Sequence, residues 1–188
     1  MTEQTSYLHT EIEIGCGQGI FLVGRASENP SARIIGIDIN IHQYEAARER
    51  VKEAGLSNAM IFHAEAFSFL REHVPDETIS AFHAYFPSPY IGEIRRHNVL
   101  GQKLSGRLLS KEFLRELQRA AQLGASLRFA TDNRSYFNFV AKNVEGLELV
   151  TTPWVHPRQS DQMLVGSGCE RKFRGMGREI YYLQCLLR

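Results

Sequence analysis

Glu11-Ile12-Glu13-Ile14-Gly15-Cys16-Gly17-Gln18-Gly19 decides how the rest of this chain is read. A short apolar-alternating run enters a glycine cluster, the signature of a strand-to-helix turn. Glycine has no Cβ, so such a loop turns tightly and lets the backbone approach a ligand closely. A dinucleotide fingerprint needs Gly-x-Gly-x-x-Gly, but position 20 is Ile20 and the glycines fall at alternate residues, Gly15, Gly17 and Gly19. A phosphate loop is excluded too, because no Gly-Lys-Ser/Thr follows.

On either side, apolar runs of strand length alternate with segments of helical period. Ile34-Ile35-Gly36-Ile37 ends at Asp38, and Ala59-Met60-Ile61-Phe62, Ala81-Phe82-His83-Ala84-Tyr85 and Leu127-Arg128-Phe129-Ala130 follow. Gln43 to Ala54 carries Ala46, Ala47 and Val51 on one face, with Gly55 placed to cap its end. Ser110 is placed to cap a helix holding Phe113, Leu114, Leu117, Ala120 and Ala121, which Gly124 is expected to close. A shorter helix is expected over 135–143, with Tyr136, Phe139 and Val140 inward. Ile180 to Leu187 reads as a final strand with no helix after it. Strands alternating with helices make parallel βαβ units, so the fold class is α/β with a doubly wound, Rossmann-like sheet.

Composition narrows the function classes. With 188 residues, 43% hydrophobic and 23% charged, the chain is expected to form a single domain over 1–188 and is not disordered or collagenous. No apolar run reaches membrane length, and the polar start Met1-Thr2-Glu3-Gln4-Thr5-Ser6 lacks a secretory pattern, so a cytoplasmic protein is expected. Cys16, Cys169 and Cys185 form no Cys-x-x-Cys pair, which argues against a disulfide framework. The seven histidines show no ligand spacing, so no metal is expected. Net charge is only +1, and any case for nucleic acid rests on local patches. One lies between Glu93 and Lys111, where Arg95, Arg96, Lys103, Arg107 and Lys111 face a single acid. A second is Arg171, Lys172, Arg174 and Arg178. The first reads as a phosphate-tracking loop more than as a solvated surface, and the second, on its own, is open between the two.

Acids stand at successive strand ends. Glu13 precedes the loop, where a carboxylate favours a cationic amine and repels a pyrophosphate. Asp38 closes the second strand, where it can accept two ribose hydroxyls. Glu65 and Ala66 follow the third strand. The order acid-x-Gly-x-Gly-x-Gly, with these two acids after it, resembles class I S-adenosylmethionine-dependent methyltransferases. That resemblance implies S-adenosylmethionine as cofactor, with Glu13, Gly15, Gly17 and Gly19 at its methionine end. It puts Asp38 on the ribose, and Glu65 with Ala66 at the adenine. It also implies seven strands, the last antiparallel.

Phe86-Pro87-Ser88-Pro89-Tyr90 narrows the resemblance further. The chain is similar to the tRNA (guanine-N7)-methyltransferases, which carry Phe-Pro-Asp-Pro-Trp at this strand end. Arg107-Leu108-Leu109-Ser110-Lys111-Glu112-Phe113-Leu114 and Phe129-Ala130-Thr131-Asp132 match in register, and Arg171-Lys172-Phe173-Arg174 sits where the family has Thr-Lys-Phe-Glu. The resemblance implies methyl transfer to N7 of a guanine in tRNA by a monomer or homodimer. Ser88, Tyr90 and Asp132 would line the acceptor pocket, and Arg95, Arg96, Lys103, Lys172 and Arg174 would hold the substrate. Ser88 replaces the family's aspartate, Tyr90 its tryptophan and Arg174 its glutamate. Those changes raise the pocket's charge and leave open a small anionic molecule as partner, in an N-methyltransferase of the same descent, or an inactive cofactor-binding homologue. Trp154 is expected to pack the loop before the last strand, and Cys16 to pack within the glycine loop.

Overall fold

Every run read as a strand enters one sheet. The computed structural model describes residues 7–88, 108–153 and 167–188. Strands β1 (His9–Ile14), β2 (Ala32–Asp38), β3 (Ala59–His63), β4 (Ile79–Tyr85), β5 (Ala121–Thr131), β6 (Thr151–Thr152) and β7 (Tyr181–Leu186) lie in the order β3-β2-β1-β4-β5-β7-β6. The first five are parallel, and β7 runs antiparallel between β5 and β6. This is the doubly wound class I methyltransferase sheet expected from the sequence. Strand order reverses around β1, which has β2 on one side and β4 on the other. A crevice therefore opens beyond the carboxyl ends of those strands.

The connecting helices are α1 (Ile20–Glu28), α2 (Ile41–Glu53), α3 (Ala66–His73), α4 (Lys111–Ala120), α5 (Arg134–Glu145) and α6 (Gly168–Gly175). Ser110 caps α4 as expected, its Oγ accepting from the Phe113 N–H. Gly55, with φ +64, follows α2 in the left-handed conformation that ends a helix.

Gly124 behaves differently from the expectation. The helix stops at Ala120, and Gly124 lies inside β5 with φ +80. Pairing there runs Ile79 to Ala121 and then Ala81 to Ser126, so β5 carries extra residues against β4. A glycine's left-handed conformation absorbs such a bulge, which is why the same residue type that closes helices appears in a strand.

The two faces of the central strands differ in chemistry. Side chains alternate along a strand, so Ile12, Ile14, Phe82, Ala84, Leu127 and Phe129 pack with Leu114, Leu117, Tyr136 and Val140 into the main core. Glu11, Glu13, His83 and Tyr85 occupy the alternate positions and are also buried. A smaller cluster of Cys16, Leu22, Ala26, Ile34 and Ala47 holds α1 and α2 to the sheet, so Cys16 packs as expected. Among the described residues no helix is long and apolar enough to cross a membrane.

Candidate active site

The glycine loop leaves β1 with all three glycines at positive φ: Gly15 at 72°, Gly17 at 54° and Gly19 at 71°. L-residues with a Cβ meet their own carbonyl there, so the alternate spacing follows from the conformation. At Gly19 a second constraint applies, since a Cβ would lie 3.1 Å from Ala47 Cβ and crowd α2 against α1. The loop is tied down on three sides. Gly15 and Cys16 N–H groups donate to Ile37 O at 2.8 and 3.1 Å. The Gly17 N–H donates to Asp38 Oδ2 at 2.8 Å, and Arg50 Nε donates to Gln18 O at 2.9 Å.

Asp38 thus spans two loops. Its Oδ1 accepts from the Asn40 N–H at 2.8 Å while Oδ2 holds Gly17, leaving one further lone pair on each oxygen. Glu65 is used similarly: it caps α3, accepting from Phe67 and Ser68 N–H groups at 3.1 and 2.8 Å. Ala66 opens α3, where a backbone N–H has no acceptor within the helix.

Glu13 is the anomaly of the site. It is 4% exposed, and its Oε2 has no hydrogen-bond partner among the described residues. Burial pushes its carboxyl well above the usual carboxylate range, and the charge of Asp38 adds to the rise. A buried acid with an oxygen unpartnered among the described residues, beside a glycine loop, can receive a cation. An ammonium group there would supply the missing donor and offset the desolvation.

The far side of the crevice is built by β4, β5 and α6. Phe86 follows β4 with φ +52, its N–H bonded to Ala130 O at 2.7 Å and its ring 5.4 Å from that of Phe173 on α6. Such a φ is strained for an aromatic residue and turns the chain sharply toward Pro87 and the exposed Ser88. Asp132 closes β5 and is ion-paired with Arg178. Helix α6 begins at the crevice. A Cβ on Gly168 would lie 2.8 Å from Ile20 Cδ1 of α1. Desolvation raises the thiol of Cys169 against the pull of Lys172, and the carboxylates of Asp132 and Glu13 raise it further.

A family model described as "Putative methyltransferase" matches residues 9–183. A tRNA (guanine-N(7)-)-methyltransferase of Streptococcus pneumoniae (strain CGSP14) is 31% identical over 176 residues, covering 92% of this chain and 79% of that protein. The chain belongs to the tRNA (guanine-N7)-methyltransferase family. A relative of the same description from Thermotoga maritima is 26% identical, and this chain spans 52% of its length. Two solved structures share the fold at 17% identity. A SAM dependent methyltransferase from Aquifex aeolicus has TM-score 0.61, covering 98% of this chain and 85% of that one. The 16S rRNA methyltransferase KamB has TM-score 0.64, covering 97% and 89%. Family and fold together make this enzyme an S-adenosylmethionine-dependent methyltransferase.

Within this methyltransferase, Glu13, Gly15, Gly17, Gly19 and Asp38 come together at the crevice, with Glu65 and Ala66 at the next strand end. Ser88 and Asp132 follow β4 and β5 at the same end of the sheet and Lys172 and Arg174 lie on α6, while Tyr90, Arg95, Arg96, Lys103 and Trp154 lie outside the described residues. Arg174 departs from the expectation of an added pocket charge. Its Nε donates to Glu170 Oε1 at 3.1 Å and its Nη2 to Tyr182 Oη at 3.0 Å. Glu170 is fully buried and also accepts from Tyr182 Oη at 2.9 Å. Burial and that bond push Tyr182 up to about 12, so the phenol stays protonated and donates. The sequence reading missed Glu170 and α6 entirely. The available signal was Ser167 three residues before Glu170, a capping pattern that the glycines and charges around it obscured. No group of three or more His, Cys, Asp or Glu fit to hold a metal occurs among the described residues.

Proposed function

We propose that this enzyme transfers the methyl group of S-adenosylmethionine to N7 of a guanine in tRNA, residues 1–188 acting as one cytoplasmic methyltransferase domain. The observation that carries the reading is 31% identity to a tRNA (guanine-N(7)-)-methyltransferase along 92% of the chain. The cofactor supplies an electrophilic methyl group on a sulfonium. Guanine N7 presents a lone pair and no proton, so the protein needs no general base. Its work is to align the two reactants and exclude water.

Each residue then has a physical task. Glu13 is the counter-ion for the methionine amine, through the buried oxygen that has no hydrogen-bond partner among the described residues. Asp38 takes the ribose hydroxyls with the lone pairs that Gly17 and Asn40 leave, and Glu65 with the Ala66 N–H meets the adenine. Ser88, Tyr90 and Asp132 line the acceptor side. Arg95, Arg96, Lys103 and Lys172 attract tRNA phosphates, joined by the exposed edge of Arg174.

The test is labelled methyl transfer from S-adenosylmethionine to tRNA lacking 7-methylguanosine, followed by digestion to nucleosides. Label in 7-methylguanosine, falling steeply with added salt, is the expected result. A second reading, a small-molecule N-methyltransferase, is favoured by Ser88 at the turn where the family carries aspartate. Label absent from tRNA but present in a small-molecule extract would select it.

A further inference from the structure

One polar chain on the buried face of the sheet has no part in the chemistry above. Arg25 of α1 grips Glu11 of β1 with two bonds, Nε to Oε2 at 2.8 Å and Nη2 to Oε1 at 2.6 Å. Glu11 Oε2 lies 2.9 Å from Nε2 of His83, and His83 Nδ1 lies 2.8 Å from Tyr85 Oη. Glu11 and His83 are 2% and 0% exposed. A buried ion pair gives no dependable gain in stability over apolar packing, so stability alone is a weak reason for keeping one.

The proton positions follow from the partners. Against its burial, Arg25 and His83 hold the Glu11 carboxyl far below its usual range, so Glu11 is an acceptor. Burial holds His83 below its ordinary value, so the ring is neutral. Nε2 then carries the proton given to Glu11, Nδ1 accepts, and Tyr85 Oη donates to it. Tyr85 is thereby anchored by its hydroxyl two residues back along its own strand.

Tyr85 packs edge-on to Phe21 at 4.8 Å, two residues after Gly19. With Ala130 it forms a cluster separate from the main core, against which Phe21, Phe86, Ile180 and Tyr182 pack. The ring therefore lies between the first turn of α1, on the cofactor side, and the strained Phe86 turn that leads to Ser88. We propose that Tyr85 is a positioning residue for methyl transfer, pinned by His83 and Glu11–Arg25 so that its ring sets the acceptor turn against the cofactor loop. This rests on the acceptor reading given above only for the choice of assay.

The test compares wild type with Tyr85→Phe, His83→Asn and the double variant. Each single change is expected to lower kcat roughly five- to twentyfold through misalignment. The cofactor dissociation constant, by calorimetry, should move by less than about twofold, since no cofactor contact is lost. The double variant should lose no more than the worse single one, because the residues act as one unit. Nitrogen-15 spectra of wild-type His83 should show the proton on Nε2, without any acceptor present. Val144→Ala in α5 serves as a stability control. An unchanged kcat in Tyr85→Phe, a proton on Nδ1, or an equal loss of kcat in Val144→Ala at matched melting temperature would each overturn the proposal. A wild type inert toward tRNA would sink the acceptor reading instead, and the tautomer measurement would still uphold or overturn the pinning.

Discussion

Arg174 on α6 is bonded to an acid of its own helix, Glu170 one turn earlier, and only the acid is buried. The two partners are therefore unequal. Arg174 is more than a third exposed, so solvent screens it, and Arg174→Ala should cost only about 0.5–1 kcal/mol. Glu170→Ala removes the buried acceptor that Arg174 and Tyr182 share and should cost about 1–3 kcal/mol. Urea denaturation measures both, and equal losses would contradict the asymmetry. Arg174→Glu would set two carboxylates together and should lower stability before it altered substrate choice.

Glu13 leads to a pair of opposite effects. Its folded carboxyl titrates well above the ordinary 4.5, so the folded state binds the extra proton and loses stability as pH rises through that value. Glu13→Gln removes that burden. The cofactor-free variant should melt higher than wild type near neutral pH, while its affinity for S-adenosylmethionine falls. A variant that binds as tightly as wild type by calorimetry would remove Glu13 from the amine site.

Asp38 should matter twice over. Asp38→Ala loses the bonds to Gly17 and Asn40 as well as those offered to the ribose. Cofactor affinity should weaken by about 1–3 kcal/mol, with a lower melting temperature even without cofactor. Asp38→Asn keeps one acceptor oxygen and should fall between, by calorimetry and by thermal melts.

The loop glycines should separate binding from folding. At Gly17 a Cβ meets nothing nearer than Gln43 Oε1 at 3.8 Å, so Gly17→Ala is strained only by its φ. At Gly19 it also meets Ala47, so Gly19→Ala should be the more destabilising, by about 1–2 kcal/mol relative to wild type. Thermal melts that rank the two the other way would contradict the packing.

His83 and Glu11 set an acid limb. His83 titrates below its ordinary 6.5 when folded, so the unfolded chain takes the proton first and stability falls as pH drops below that value. Glu11 stays ionised far below 4.5, so its contribution is lost only at lower pH. The groups facing His83 are Glu11 from β1, Arg25 from α1, Arg128 from β5 and Tyr85 from its own strand. Melting temperatures from about pH 7 to 5 should fall in wild type and fall less in His83→Gln.

The sheet was legible because its central strands are short apolar runs separated by helical segments, a pattern that survives without tertiary context. The glycine loop was legible for the same reason, its spacing being imposed by backbone conformation at Gly15, Gly17 and Gly19. Gly124 misled because glycine marks any left-handed residue, in a bulge as well as at a helix end. Helix α6 was hidden by its short length, its glycines at both ends and its charges, which give no apolar period. Glu13 was read correctly as an acid beside the loop, but its burial and its unused oxygen exist only once β4 and α1 cover it. The Glu11–His83–Tyr85 chain was invisible, since it joins residues 72 positions apart that share a sheet face only after pairing.

The placement of β7 bears on how the protein is made. Strand β7 is late in the sequence yet inner in the sheet, seated between β5 and β6. During synthesis β5 is complete long before its neighbour leaves the ribosome, so one long strand waits with an open flank of unpaired N–H and C=O groups. Such a flank invites another chain. Deletion of β7 would therefore remove a middle plank of the sheet and leave β5 unpaired along that flank.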